Sequence, residues 1–261
     1  MEREGHTSGL DRERIARLQS PLARRVEFYP EISSTQERAK ELAREGAPHG
    51  TLVVAGVQTG GRGRLGRAWA SPAGGLWMSV VLRPAIPAAH APRITLDAAV
   101  GVAKALRRMG AVAEIKWPND LLAGGRKICG ILAEAGFAPA GHLDFAVLGV
   151  GINANLDPAP LAQVGATSLR AELGREVDLL ALLAAVLECL DIELGRIENF
   201  AAVAEDWRAL SCTLGRRVRV HRVGQILEGY AADLSPDGAL VLETSSGRVE
   251  LFEGEVEQLR H

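Results

Sequence analysis

Gly61-Arg62-Gly63-Arg64-Leu65-Gly66-Arg67 follows the apolar run Thr51–Val57 and has the spacing G-x-G-x-x-G. In a dinucleotide-binding βαβ unit such glycines open a helix, and an acid about 20 residues further on holds a ribose hydroxyl. Neither condition is met. Trp69, Pro72 and Gly74-Gly75 stand where the helix should begin, and the first acid after the glycines is Asp97, 36 residues beyond Gly61. A phosphate-binding P-loop also fails, because no Gly-Lys-Ser/Thr occurs. What is left is a loop with three glycines and three guanidiniums. Glycines let backbone close over a ligand, and guanidiniums hold phosphate or carboxylate through paired hydrogen bonds. Taken alone, the seven residues serve equally well as a solvated basic loop or a nucleic-acid patch.

The surroundings favour an anion. From Gly46 to Leu96 there is no Asp or Glu in 51 residues, whereas Arg62, Arg64, Arg67, Arg83 and Arg93 are all present. Such a segment builds a positive local field without a neutraliser of its own. Around it the pattern alternates between strands and helices. Val26–Tyr29, Thr51–Val57 and Leu76–Leu82 read as strands. Ser34 and Glu37 have capping-box spacing for a helix that Gly46 ends. Thr95–Met109 reads as a helix stopped by Gly110, followed by strands Ala113–Trp117, Lys127–Glu134 and Leu143–Val150, with Gly124-Gly125 as a tight turn. Helices Leu179–Leu194 and Phe200–Leu210 complete this unit. After Gly215 the texture changes to short strands (216–222, 225–232, 239–243, 249–252) separated by Pro236-Asp237-Gly238 and Ser245-Ser246-Gly247 turns, which predicts a small SH3-like β-barrel. The boundary is placed near Ser211. Leu10–Leu18 reads as a short charged helix ended by Ser20-Pro21.

Composition bounds the rest. The chain has 261 residues, 47% of them hydrophobic and 24% charged, which is a globular and not a disordered composition. No apolar run reaches the roughly 18 residues of a membrane span, and the polar, mixed-charge N-terminus has no signal-peptide pattern. Cys129, Cys189 and Cys212 are odd in number and far apart, so neither a disulfide framework nor a Cys-x-x-Cys zinc site is expected, and a reducing cytoplasm is the expected compartment. A net charge of −2 with a pI of 6.3 argues against general nucleic-acid binding.

Two further runs attract attention. Lys116-Trp117-Pro118-Asn119-Asp120 ends a strand, and Lys127 opens the next. The chain has only four Lys against 26 Arg, so two Lys within twelve residues stand out. A compact ammonium makes a single-point contact with a phosphate oxygen where a guanidinium makes a forked one. Alone, the run is better read as a hairpin with a packed Trp. Gly149-Val150-Gly151-Ile152-Asn153 leaves a buried strand in small residues, which suits close approach to a planar ligand and equally suits a tight strand exit.

In order along the chain, Ser34-Thr35-Gln36, Gln58, GRGRLGR, KWPND, RKICGIL and GVGIN closely resemble the biotin protein ligases, also called biotin–[acetyl-CoA-carboxylase] ligases. The resemblance runs from Val26 through the C-terminal barrel. It implies an α/β fold, with a mixed-sheet catalytic domain of the biotin/lipoate ligase type (25–211), followed by an SH3-like β-barrel (212–261) and preceded by a short extension (1–24). It also implies two steps. Biotin and Mg·ATP give biotinyl-5′-AMP and pyrophosphate, and a lysine of a biotin-carrier domain of a carboxylase then attacks the mixed anhydride.

Carried over by residue, the resemblance places Ser34, Thr35 and Gln36 at the ureido end of biotin, with Gln58 and Gly63 lining the same site. Gln36 stands where the family often has Asn. Arg62 and Arg64 would lie against carboxylate and phosphate in a loop that closes on ligand. Lys127 would bind the carboxylate and α-phosphate oxygens. Trp69 would cover the adenine, with Asn119 and Asn153 near it, and Asp120 would contact Mg2+. A carboxylate attacking ATP must overcome anion–anion repulsion, and its labile product needs a cover that excludes water. A loop of cations without nearby acids supplies both. Cys129, beside Lys127, is read as packing.

Three other functions compete. A lipoate ligase or acyltransferase shares the architecture but not the GRGR-plus-KWPND combination. A DNA-binding repressor needs two or three N-terminal helices, whereas 25 residues precede Val26. A noncatalytic adenylate-binding regulator has the same motifs. No membrane partner and no specific nucleic acid are expected, and a homodimer is among the assemblies the resemblance allows.

Overall fold

Leu76–Leu82 is buried at all seven positions, as a strand in the middle of a covered sheet must be. In the computed structural model, which describes residues 9–138, 141–222 and 224–259, it is β3 of a seven-stranded sheet. Its neighbours are β1 (Arg25–Ile32), β2 (Thr51–Gln58), β4 (Ala113–Lys116), β5 (Asp120–Ala123), β6 (Arg126–Phe137) and β7 (Leu143–Ile152), in the order β1-β2-β3-β7-β6-β5-β4. β1 and β2 run parallel and every other pair is antiparallel, so the sheet is mixed as expected.

Side chains alternate between two cores along each strand. Leu52 and Val54 of β2 and Met78, Val80 and Leu82 of β3 enter the larger core, beneath α3 (Arg93–Arg108), α6 (Leu179–Leu194) and α7 (Phe200–Leu210). Val53, Val81 and Val147 enter a smaller core with Ala39, Leu42 and Ala43 of α2 (Thr35–Arg44). Ser34 caps α2 by accepting from Glu37 N–H at 3.4 Å, and Gly46, with φ +85°, lets the chain leave the helix. α2 covers only part of its face. Beyond its N-terminus the same face carries Ser79, Gly149, Gly151 and Gly130, too small to fill the space, and a cavity results.

Four features depart from the sequence reading. β5 lies within what the sequence presents as a turn. It is a four-residue strand joined to β6 through Gly124-Gly125, both at positive φ, so the expected turn is there with an extra strand before it. Short helices α4 (Pro158–Gln163) and α5 (Leu169–Leu173) occupy a stretch without clear periodicity. The first helix, α1, is shorter than Leu10–Leu18, spanning Arg12–Ala16; residues 1–8 of the expected extension lie outside the described residues. Among the described residues after 215 there are five strands, not four: β8 (Arg216–Arg222), β9 (Gln225–Leu234), β10 (Leu240–Thr244), β11 (Gly247–Leu251) and β12 (Glu255–Gln258) form an antiparallel sheet in the order β11-β10-β9-β8-β12. β12 escapes notice because three of its four residues are charged or amide.

The SH3-like unit is fastened to the first. Cys212 N–H donates to Ile115 O at 2.9 Å and Trp117 N–H to Thr213 Oγ1 at 2.9 Å, so the connecting segment pairs with β4. Arg93 of α3 reaches the Pro236 carbonyl at 3.1 Å and stacks on Phe200.

Candidate active site

The cavity holds about 280 Å³ and has two chemically different ends. At the neutral end, the N-terminus of α2 places Thr35 and Gln36 over the sheet. Gln58 Oε1 accepts from Thr35 N–H at 2.8 Å and from its hydroxyl at 3.0 Å, while its amide donates to Ser71 Oγ at 2.8 Å. Thr35 Oγ1 lies 2.9 Å from Ser79 Oγ, which donates to Gln36 Oε1 at 3.0 Å. The Gln36 amide donates to Glu134 at 2.9 Å and to Val147 O at 3.1 Å. A Cβ on Gly149 would stand 2.5 Å from Gln36 Oε1, so that glycine makes the room the longer amide needs. Ser34, Thr35, Gln36 and Ser79 are all buried. This connected set of hydroxyls and amides holds Thr35, Gln36, Gln58 and Ser79, all of which line the cavity, in fixed positions.

The cationic end is built by the 61–67 loop and β6. Gly63 N–H donates to Arg67 O at 2.8 Å and Trp69 N–H to Gly61 O at 2.9 Å, which closes the loop on itself. The loop's neutralising acids come from distant elements. Arg67 forks onto Glu255 of β12 at 2.9 and 2.6 Å, and Arg62 lies 4.0 Å from Glu37 of α2. The absence of acids from 46–96 is therefore partly compensated in three dimensions. Arg64 differs. It is half-buried, donates to Asn119 Oδ1 at 2.9 Å and has no carboxylate within ion-pair distance among the described residues. Burial lowers its pKa, the mark of a desolvated guanidinium.

Lys127 reaches the cavity because β6 is bulged. Leu121 pairs with Cys129 and Leu122 with Lys127, which leaves Ile128 as the extra residue. Ile128, Cys129 and Ile131 all enter the larger core, so without the bulge Lys127 would point there too. It instead forms an ion pair with Asp120 at 2.7 Å and stands 5.0 Å from the centre of the Trp69 ring. That ring lies on the cross-strand pair Gly130–Gly151. A Cβ would come within 3.1 Å of it on Gly130 and 2.6 Å on Gly151. The planar group that the GVGIN run approaches is thus the chain's own indole, whose Nε1 is buried without a partner among the described residues.

Ser34, Thr35, Gln36, Gln58, Arg62, Gly63, Arg64, Trp69, Asn119, Asp120 and Lys127 all line this one cavity. Asn153 does not. Its amide donates to Thr167 O at 2.9 Å, behind the wall. Cys129 is fully buried, and burial pushes its thiol up, consistent with packing. Sequence reading missed Ser79, which marks itself only as a hydroxyl in a fully buried strand. It also missed Glu255, which has no local signal.

Fold and site together define an α/β domain with a mixed sheet and an anion-ready cavity, joined to an SH3-like unit. The chain belongs to the biotin protein ligase family. Residues 28–153 match the Biotin/lipoate A/B protein ligase family, and residues 213–258 match the Biotin protein ligase C terminal domain. The chain is 35% identical over 238 residues to the bifunctional ligase/repressor BirA of Bacillus subtilis, covering 88% of this chain and 73% of that one. It is 35% identical over 247 residues to the biotin–[acetyl-CoA-carboxylase] ligase of Mycobacterium tuberculosis, covering 91% and 90%. Its structure resembles the biotin protein ligase of Aquifex aeolicus in complex with biotin and ATP, with a TM-score of 0.76 and 30% identity over 91% of this chain and 99% of that one.

Proposed function

We propose that this chain activates biotin with ATP and transfers it to a lysine of the biotin-carrier domain of acetyl-CoA carboxylase or a similar carboxylase. The observation that carries the reading is the two-ended cavity. Its buried hydroxyl–amide set suits a neutral ureido group, and Lys127 with Arg62 and Arg64 suits a carboxylate meeting a phosphate.

In the first step a carboxylate oxygen of biotin attacks the α-phosphorus and pyrophosphate leaves. Charge grows on the α-phosphate oxygens, and the cations offset it. Lys127 has three N–H donors and gives one to Asp120, leaving two for the carboxylate and phosphate. Arg62 and Arg64 hold the same anions from the loop side. In the second step the acceptor amine attacks the acyl carbon, AMP leaves, and no enzyme nucleophile is required. We assign Trp69 to the floor near the reacting atoms, with its adenine contact as the reading to test. Asn119 orients Arg64, and Asn153 acts from behind the wall.

Mg2+ fits the cavity only as an ion that arrives with ATP. Among the described residues there is no group of three or more His, Cys, Asp or Glu that could hold a metal, whereas one carboxylate plus substrate phosphates is an ordinary Mg2+ environment. Asp120 would be that carboxylate, and the ion would neutralise phosphate charge.

The reading divides the chain at Ser211 and places it in the cytoplasm; no helix among the described residues is long and apolar enough to cross a membrane. A homodimer is compatible with it. ATP–pyrophosphate exchange tests the function. Exchange should require biotin and be absent with lipoate; exchange driven by lipoate, or none with either acid, would contradict it.

Two further results are expected. Biotin plus ATP should protect the 61–67 loop from trypsin, because bound anions hold Arg62 and Arg64, and equal cleavage with and without ligands would count against loop closure. Arg62, Arg64 and Arg67 all line the cavity, so duplex DNA should bind only weakly and in a salt-sensitive way. A submicromolar, sequence-selective complex in an anisotropy titration would overturn that.

A further inference from the structure

Lys127 lies on an overhang. The β6–β7 ladder begins at Cys129–Ile152, and past it Asn153 N–H continues the pairing, donating to Ile128 O at 2.9 Å. On that side the backbone of Lys127 is held by a segment from outside the sheet. Its N–H donates to Gly165 O at 3.1 Å, and its C=O accepts from Thr167 N–H at 2.8 Å. The bulge has already weakened its pairing with β5, so the 165–167 segment is what fixes the strand just where Lys127 turns into the cavity.

Backbone bonds from Gly165 N–H to Ala162 O and from Ala166 N–H to Leu161 O hold that segment to α4, and one half-buried carboxylate fixes its Thr167 side chain. Glu172 of α5 accepts the Thr167 hydroxyl at 2.6 Å and the Arg126 guanidinium at 2.8 Å, both on Oε1. It therefore ties together the two stretches that flank Lys127, one on β6 and one on the 165–167 segment. From the other side the Asn153 amide donates to Thr167 O. Glu172 does not line the cavity, so it cannot act on a ligand directly.

Building on the proposed ligase function, we propose that Glu172, through Thr167, is a positioning residue for Lys127. It sets the angle at which the ammonium meets the reacting carboxylate and phosphate, and it contributes nothing to the grip on biotin's ring system. A displacement of about 1 Å in such a group is enough to cost one to two orders of magnitude in rate.

Steady-state pyrophosphate formation, with biotin and ATP each varied, tests this together with a thermal melt. Glu172→Ala should lower kcat about tenfold while KM for biotin stays within twofold. Glu172→Gln, whose amide oxygen still accepts from Thr167, should recover to within about threefold of the wild type. Thr167→Val, which removes only the hydroxyl, should lower kcat in the same direction, and it serves if Glu172→Ala does not fold. In a Lys127→Ala background Glu172→Ala should change the rate less than twofold, because the group it positions is gone. A full tenfold loss persisting in that background would overturn the proposal, as would wild-type kcat in both Glu172→Ala and Thr167→Val. A wild-type protein that forms no pyrophosphate with biotin would instead overturn the ligase reading, and this inference with it.

Discussion

Lys127→Ala is expected to slow biotin-dependent pyrophosphate formation by on the order of 10²–10³, equivalent to about 3–4 kcal/mol of transition-state stabilisation. Two losses combine. The charge facing the α-phosphate disappears, and Asp120 loses its ion-pair partner at 2.7 Å and stands on the cavity wall with only the more distant cations to offset it. The second loss weakens the attraction that Arg62 and Arg64 still offer to two incoming anions. Lys127→Arg should not rescue fully, because a planar fork cannot take the place of a compact ammonium between Asp120 and the Trp69 face. Folding stability should change little, since the Lys127–Asp120 pair is partly solvated. Pyrophosphate release unchanged in Lys127→Ala would remove Lys127 from the chemistry.

Asp97→Asn is expected to stabilise the fold at pH 8 and to flatten its pH dependence. Asp97 of α3 is fully buried, and neither carboxylate oxygen has a hydrogen-bond partner among the described residues. Burial, with Glu193 of α6 adding repulsion and Arg93 and Arg196 only partly offsetting it, pushes its pKa up to about 8. The unfolded chain releases this proton near pH 4, the folded chain only near pH 8. Between those values the unfolded state binds fewer protons, so stability falls as pH rises, by about 1.4 kcal/mol per unit, and levels off above pH 8. The accumulated loss approaches about 6 kcal/mol, and an amide cannot incur it. Urea unfolding of both proteins from pH 5 to 9 shows whether the wild type loses stability relative to Asp97→Asn as the pH rises. Parallel curves would mean that Asp97 is paired or solvated in solution.

What could be read from the sequence divides along physical lines. β3, α6 and α7 are long, apolar and sharply bounded, and their limits in the structure are those the sequence predicts. Thr35, Gln58, Arg62, Arg64, Asn119 and Lys127 come together from motifs spread over more than ninety residues, because each motif sits at the end of a strand, at the start of a helix or in a loop bordering the same cavity. The unread part depends on long-range registers. Which way Lys127 points is decided by a bulge that puts Ile128 and Cys129 on the same side, and a bulge leaves no mark in an apolar run. Glu255 becomes a partner of Arg67 only because a second sheet docks against the loop. The glycines of GVGIN correctly signal close approach, but the approaching groups are Gln36 and Trp69 from within the chain. Asn153, placed with the nucleotide on sequence grounds, lies behind the wall and donates to Thr167 O.

Mass spectrometry of a purified biotin-carrier domain, incubated with this protein, biotin and ATP, decides whether the chain transfers biotin. One biotin-sized mass increase on a single lysine is expected, requiring both ATP and biotin and strongly reduced with Lys127→Ala. An unmodified carrier in the presence of protein that still binds biotin and ATP would contradict it, and would leave an adenylate-binding regulator in place of a ligase.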